Sequence, residues 1–384
     1  VSRIYLDCAA TTPARDEAIA AMLPLLGAGG YNASSLHAEG RAARAALDAA
    51  RAGVAAAIGA RPREVVFTGS GSESIALAVL GAARAAAGRG RHIVTCATEH
   101  HAVLHAIDVL EAEGWTVTRL PVDANGLVDP AAFAAALRSD TVLASIMLAN
   151  NELGTIAPVA ALAAIARRGG VLFHTDAVQA PAWLTIDVNA LGVDLLSLSG
   201  HKFYGPKGVG LLYVRSGTPV AALIVGGGQE HGLRAGTENV AGIAGFAAAF
   251  ACAQRERIET VARVAALRDR FEAEIVRRVA HVRVNAAGAP RLAGTSSIAF
   301  ADAPADALLI GLDLEGIAAS AGSACAAGSL EPSHVLAAIG LPANEARGVL
   351  RFSLGRTTTA DEIDRAVGVI PRLVAQVRGV GAFV

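Results

Sequence analysis

The chain has 384 residues, a formal net charge of -1 and a pI near 6.9. At ~100 to 200 residues per domain this suggests two domains, or one large unit with an appendage. The near-neutral balance gives no electrostatic footprint for nucleic acid or an anionic membrane. Apolar residues make up 53% and aromatics 4%, with 41 glycines, which describes a small-residue globular chain that is neither disordered nor collagen-like. Of 33 basic side chains only Lys202 and Lys207 are lysines. Any chemistry that needs a side-chain primary amine must use one of these two.

A mean hydropathy of +0.45 raises the question of a membrane span. The longest run without polar side chains, Val240 to Ala253, is well short of the ~20 residues that cross a bilayer. The N-terminal residues reach Asp7 before any apolar segment develops, so no secretory signal and a cytoplasmic location are expected. Cys8, Cys96, Cys252 and Cys325 are scattered, and Cys96 with His100 supplies only half a zinc site. Free thiols are expected, each acting singly.

From Val65 to Val214 short β-branched runs alternate with Ala-rich amphipathic segments, the pattern of βαβ units on a mostly parallel sheet. Strands are predicted at Val65–Phe67, His92–Thr95, Thr116–Leu120, Thr141–Met147, Val171–His174, Leu195–Ser199 and Gly210–Val214. Helices are predicted at Ser72–Ala87, Glu99–Glu113, Pro130–Leu137 and Val159–Arg168. After Gly226-Gly227-Gly228 a helical stretch from Ala241 leads into a charged helix, Arg255–Val279. Short strands near Val282, Ser296, Gly316 and Val349 then alternate with helices near Ala305, Pro332 and Asp361. The expected division is a large domain, 15–254, and a smaller α+β domain made of 255–384 with the returning segment 1–14.

Ligands of such sheets sit beyond the carboxyl ends of the strands, and the candidate motifs fall there. Ser199-Gly200-His201-Lys202 follows an apolar strand, a good place for an amine that forms an imine with a carbonyl cofactor. Another strand ends in His174-Thr175-Asp176, with Gln179 three residues on. A carboxylate there can pair with a protonated pyridine nitrogen, and an amide can bond a phenolic oxygen. Thr68-Gly69-Ser70-Gly71-Ser72 leads from strand to helix and offers backbone N–H groups and hydroxyls for a phosphate, although it matches neither a P-loop nor a dinucleotide fingerprint. Taken singly, each motif is weak: Lys202 could be a solvated turn lysine, Asp176 an ordinary helix cap.

Gly71-Ser72, Glu99-His100, Asn150-Asn151-Glu152, His174-Thr175-Asp176-x-x-Gln179 and Ser199-Gly200-His201-Lys202 stand in one order, between Leu6-Asp7-x-Ala9-Ala10-Thr11-Thr12-Pro13 and Arg351-Phe352-Ser353-Leu354-Gly355-Arg356. On these motifs the whole chain resembles the NifS/IscS-type cysteine desulfurases of the class V aminotransferase group. The resemblance implies an α/β fold-type I pyridoxal-phosphate transferase, with a large domain on a mostly parallel mixed sheet, and pyridoxal 5'-phosphate as cofactor. Lys202 would hold the cofactor and move protons at the substrate α-carbon. Asp176 would face the pyridine nitrogen and Gln179 the phenolic oxygen, while His100 would stack on the ring and assist proton transfer. Gly71, Ser72, Ser199 and His201 would hold the phosphate. Thr237 would reach the phosphate in a neighbouring subunit, which implies a homodimer. Asn151 and Arg351 would bind the carboxylate of L-cysteine.

The segment Ala321-Gly322-Ser323-Ala324-Cys325-Ala326-Ala327-Gly328 carries one thiol among small residues, which suggests a mobile loop. By the resemblance Cys325 takes the substrate sulfur as a persulfide, leaving alanine, and passes it to an iron–sulfur scaffold or another acceptor protein. No resident metal is expected, although Cys325 could serve as a transient iron–sulfur ligand. Cys8 stands where the group usually has Asn and is expected near the substrate entrance. Alternatives are a selenocysteine lyase, another class V lyase or transaminase, and a non-catalytic sulfur-relay protein.

Overall fold

A computed structural model describes residues 3–27, 29–322 and 333–381. Its strands are β1 (Ile4–Tyr5), β2 (Val65–Thr68), β3 (His92–Cys96), β4 (Thr116–Leu120), β5 (Thr141–Ser145), β6 (Leu172–Asp176), β7 (Leu195–Ser199), β8 (Gly210–Val214), β9 (Val282–Val284), β10 (Thr295–Phe300), β11 (Ile317–Ala318) and β12 (Val349–Ser353). Seven of them form a sheet in the order β2-β8-β7-β6-β5-β3-β4. Only β8 runs against its neighbours, so the carboxyl ends of β2, β3, β5, β6 and β7 share one edge.

Apart from the edge strand β4, the strands are rich in apolar residues because both faces of the sheet are covered. One face packs against Ala38–Ala57, Val159–Arg168 and the start of Val240–Arg278; the other packs against Gly71–Ala86 and His101–Ala112. Helix Ala38–Ala57 shows how an Ala-rich run earns its place. His37 caps it by accepting from Gly40 N at 3.1 Å, and Gly40, Ala43, Leu47, Ala50 and Val54 form a buried stripe at helical spacing.

A second core gathers Ile4, Leu6, Val264, Phe271, Phe300, Leu308, Ile317, Phe352 and Ile363. It lies on the antiparallel sheet β12-β10-β9 and the parallel pair β1-β11. The N-terminal segment joins this core through β1, and bridges Asp7 to Ser353. Where the sequence predicts two helical segments meeting near Arg255, the structure has one helix, Val240–Arg278, about 58 Å long at 1.5 Å per residue. Its first part packs on the large sheet and its later part, through Val264, Phe271 and Ile275, on the second core. The charged residues that begin at Arg255 mark the crossing between cores, not a break in the backbone.

β5 stops two residues before its predicted end because Met147 N donates to the Glu99 carboxylate at 2.7 Å instead of continuing a ladder toward β3. Among the described residues no helix is long and apolar enough to cross a membrane.

Candidate active site

A cavity of about 250 Å³ opens at the shared carboxyl edge of the large sheet. Gly71, Ser72, His100, Asn151, Asp176, Gln179, Ser199, His201, Lys202 and Arg351 all line it. Ser70, part of the predicted phosphate segment, also lines it, and Ala9, Ala10, Ile75, Met147 and Val178, to which the sequence assigns no role, complete the wall. Thr237 lies exposed outside this chain's cavity, and Cys325 lies outside the described residues. Lys207 is exposed and does not line the cavity.

Adjacent strands set the floor. β6 ends on Asp176 and β7 on Ser199, whose chain turns through a short 3-10 turn, Gly200–Lys202. Beneath Asp176, His174 is fixed between Ser145 Oγ at 2.8 Å and Ser197 Oγ at 3.0 Å, and burial pushes its pKa down to about 3. It is a neutral strut that ties β5, β6 and β7 together. Burial raises the Asp176 carboxyl to about 6, against the Val178 N–H at 2.9 Å and the Lys202 charge, which both favour ionisation.

The Lys202 turn is gripped by the N-terminal motif. Lys202 Nζ donates to Ala9 O at 2.6 Å and Ala10 O at 2.8 Å, and Gln179 Nε2 donates to Ala9 O at 3.0 Å. Thr12 Oγ1 donates to His201 O at 2.8 Å and accepts from Tyr204 N at 2.7 Å. Two backbone carbonyls therefore orient the amine over the floor, a role that no side-chain pattern announces.

His100 caps helix His101–Ala112, its Nδ1 accepting from Ala102 N at 3.1 Å. Burial, then the Lys202 charge, lowers its pKa to about 4, so the ring stays neutral near pH 7. His201, whose Nδ1 lies 3.0 Å from Thr11 Oγ1, is lowered to about 4 for the same two reasons. Neighbouring Glu99 is fully enclosed; burial raises it to about 8, and the nearby Asp176 charge pushes the same way. One of this pair keeps its proton so that the other can ionise.

At the opposite wall Arg351 is 2% exposed. Its Nη1 donates to Asn151 O and its Nη2 to Asp7 Oδ1, both at 2.8 Å, while Nε has no hydrogen-bond partner among the described residues. A guanidinium held this way is a ready fork for a small carboxylate. Cys8 is buried, with Trp183, Tyr204 and Lys202, in a recess of about 10 Å³ that shares Ala9, Gln179 and Lys202 with the cavity. Burial pushes its thiol up to about 12, which leaves it a poor nucleophile.

The phosphate expectation has a steric test. A Cβ on Gly71 would stand 2.9 Å from the Ser199 Cβ and 3.1 Å from Val178 Cγ2, so only glycine keeps this cradle open. Ser70 Oγ accepts from Glu73 N at 3.1 Å at the start of the helix, and Ser70, Gly71 and Ser72 line the cavity. Amine, buried carboxylate, neutral imidazole and an anion cradle fit pyridoxal 5'-phosphate.

The class V aminotransferase model matches residues 4–366. The chain belongs to that family, among the cysteine desulfurases. It is 47% identical over 380 residues to the cysteine desulfurase IscS of Dictyoglomus turgidum, covering 99% of this chain and 96% of the relative. A solved NifS-like protein aligns over 100% of both chains with a TM-score of 0.89 at 34% identity. A structure described as SspA in complex with cysteine aligns at 36% identity and a TM-score of 0.81, covering 93% of this chain and 100% of that one. The enzyme depends on pyridoxal phosphate and has the fold expected of it.

Proposed function

We propose that the cavity takes L-cysteine, releases L-alanine and delivers the sulfur as a persulfide on Cys325, for iron–sulfur cluster assembly or thiolation. The observation that carries this reading is the convergence, in one cavity, of Lys202, Asp176 and His100 with the Arg351 guanidinium. Bound pyridoxal phosphate supplies an electron sink that makes the substrate α-proton removable.

In this reading Lys202 anchors the cofactor and moves the proton at the α-carbon. Asp176 holds a positive charge on the ring nitrogen, Gln179 the phenolic oxygen, and the neutral His100 stacks on the ring and assists proton transfer. Gly71, Ser72, Ser199 and His201 bind the phosphate, with Thr237 contributed from the second subunit of a homodimer. Asn151 and Arg351 orient the substrate carboxylate, which fixes the sulfur's direction.

The chain geometry supports Cys325 as acceptor. Ser320 exchanges backbone hydrogen bonds with Arg351, at 2.7 and 3.1 Å. Cys325 follows Ser320 by five residues, a chain length that spans at most roughly 18 Å when extended. Of the described cysteines, Cys8, Cys96 and Cys252 are all buried. A thiolate at Cys325 would attack the substrate sulfur: one S–S bond forms, the C–S bond breaks, and its electrons return to carbon, which takes a proton to become alanine.

The test is to incubate the enzyme with L-cysteine and a reductant and to measure alanine and sulfide. Equal amounts of both, lost in Cys325→Ser, are expected. Full turnover by Cys325→Ser would favour a transaminase or lyase that needs no thiol.

A further inference from the structure

Glu152 is a carboxylic acid in a costly position. It is 1% exposed, and burial raises its pKa against the favourable influence of Ser333, His334 and Arg351. Its backbone is rigidly placed: the Asn150 side chain accepts from both Glu152 N and Leu153 N at 2.9 Å, and donates to Thr98 O at 3.0 Å. The acid therefore projects from a fixed point at the carboxyl edge of the large sheet.

Its two oxygens meet two particular residues. Oε1 accepts from Ser333 Oγ at 2.8 Å. Oε2 is buried without a hydrogen-bond partner among the described residues and lies against Gly322. A Cβ on Gly322 would stand 2.9 Å from Oε2, and Gly322 has φ +56°, so the close approach and the backbone conformation both call for glycine. Gly322 and Ser333 are the described residues that bracket 323–332, the stretch that contains Cys325.

Each of these stems is also tied on its far side. Ser320, before Gly322, pairs with Arg351. Ser333 Oγ accepts from Val335 N at 3.1 Å as it starts helix His334–Ala338, and His334 Nε2 lies 2.9 Å from Glu99 O. One carboxyl group thus bonds Ser333 on one side of the thiol segment and packs against Gly322 on the other.

We propose that Glu152 is a positioning residue for sulfur transfer: its bond to Ser333 and its close packing against Gly322 hold the two described residues that bracket the Cys325 segment. The proposal rests on Cys325 being the sulfur acceptor. Losing this carboxyl lets Gly322 and Ser333 shift between their outer ties at Ser320 and His334, which misplaces the thiol relative to the substrate sulfur, while Lys202, Asp176 and Arg351 keep their places. The effect belongs to the hand-over of sulfur and not to the steps at the α-carbon.

The experiment compares wild type, Glu152→Gln, Glu152→Ala and Gly322→Ala as holoenzymes in single-turnover mixing with L-cysteine. It follows the change in cofactor absorbance, the appearance of persulfide on Cys325 by mass spectrometry, and Tm. Cofactor absorbance should change at within about 2-fold of the wild-type rate in every variant. Persulfide formation should slow by about 10- to 100-fold in Glu152→Ala and Gly322→Ala. Glu152→Gln, which still accepts from Ser333, should recover part of the loss. If Glu152→Ala does not fold, Ser333→Ala at a partly exposed position carries the same prediction.

Persulfide forming at the wild-type rate in the variants would overturn this proposal alone. The two signals slowing together would also overturn it, since a general loosening of the site would do that. Persulfide absent from the wild-type enzyme as well would overturn the assignment of Cys325, and the proposal with it.

Discussion

Asp176 and Lys202 reach the cavity from the ends of β6 and β7, neighbouring parallel strands about 4.8 Å apart, and their motifs are contiguous in the chain. The facing wall is assembled otherwise. Arg351 lies on β12 in a different sheet, bonds Asn151 from 200 residues away, and pairs with Asp7 from near the other end of the chain. The floor inherits its geometry from one hydrogen-bonded sheet, whereas the wall depends on the two cores keeping their relative position. Damage to the floor should therefore remove the chemistry, and damage to the wall should alter its efficiency.

The largest effect is expected at the amine. Lys202→Ala should lower alanine formation by about 10⁴-fold, the upper range for a single acid–base group, while Lys207→Ala should stay within about 2-fold. Borohydride trapping of the cofactor, read by peptide mapping, should label Lys202 and leave Lys207 unlabelled. A label on Lys207 would break the assignment of the floor.

Asp176 comes next, with a sign that can be checked. Its folded pKa, about 6, exceeds the ordinary 3.8, so from pH 4 to 6 the unfolded chain releases a proton that the folded apoprotein keeps. Burying the ionised carboxylate costs stability, a cost absent below pH 4 and complete above about pH 6. Apo Asp176→Asn should therefore gain in Tm relative to the wild-type apoprotein as pH rises from 4 to 6, with no further gain up to pH 8. The same substitution should lower turnover by about 10² to 10³-fold, because the ring nitrogen loses its counter-charge. A flat Tm difference across this range would show that Asp176 is not held in a desolvated floor.

On the wall, Arg351→Lys keeps a charge near Asp7 but loses the planar fork. KM for L-cysteine should rise by about 10- to 100-fold, as expected for one or two charge-assisted hydrogen bonds, with a smaller change in kcat. Equal losses in both would place Arg351 in the chemistry instead. The smallest effect is expected at Thr237→Ala: loss of the one hydroxyl contact to phosphate that we propose corresponds to about 3- to 10-fold in cofactor affinity, measured by titration of the apoprotein.

The contrast between floor and wall also governs what could be read from the chain. The places of Lys202, Asp176, Ser199 and Gly71 at the cavity were legible because strand and turn follow one another within a few residues. Arg351 and Asn151 were reached through resemblance, since nothing local ties β12 to the end of β5. The acceptors of Lys202 went unread because they are the carbonyls of Ala9 and Ala10, and a backbone group has no residue type to betray it. The burial of Cys8 was not legible for a related reason: Tyr204 and Trp183 share its recess, and a linear motif does not bring them to it. Glu152 was visible as part of Asn150-Asn151-Glu152, but its contacts with Gly322 and Ser333 exist only once the two cores are assembled.

The central claim is that sulfur leaves L-cysteine onto one particular thiol. Mixing the enzyme with one equivalent of L-cysteine without reductant, quenching by alkylation and mapping peptides by mass spectrometry tests it most directly. One added sulfur atom on the Cys325 peptide, with alanine formed in equal amount and no addition at Cys8, Cys96 or Cys252, is the predicted result. Alanine formed while Cys325 remains a plain thiol would contradict it.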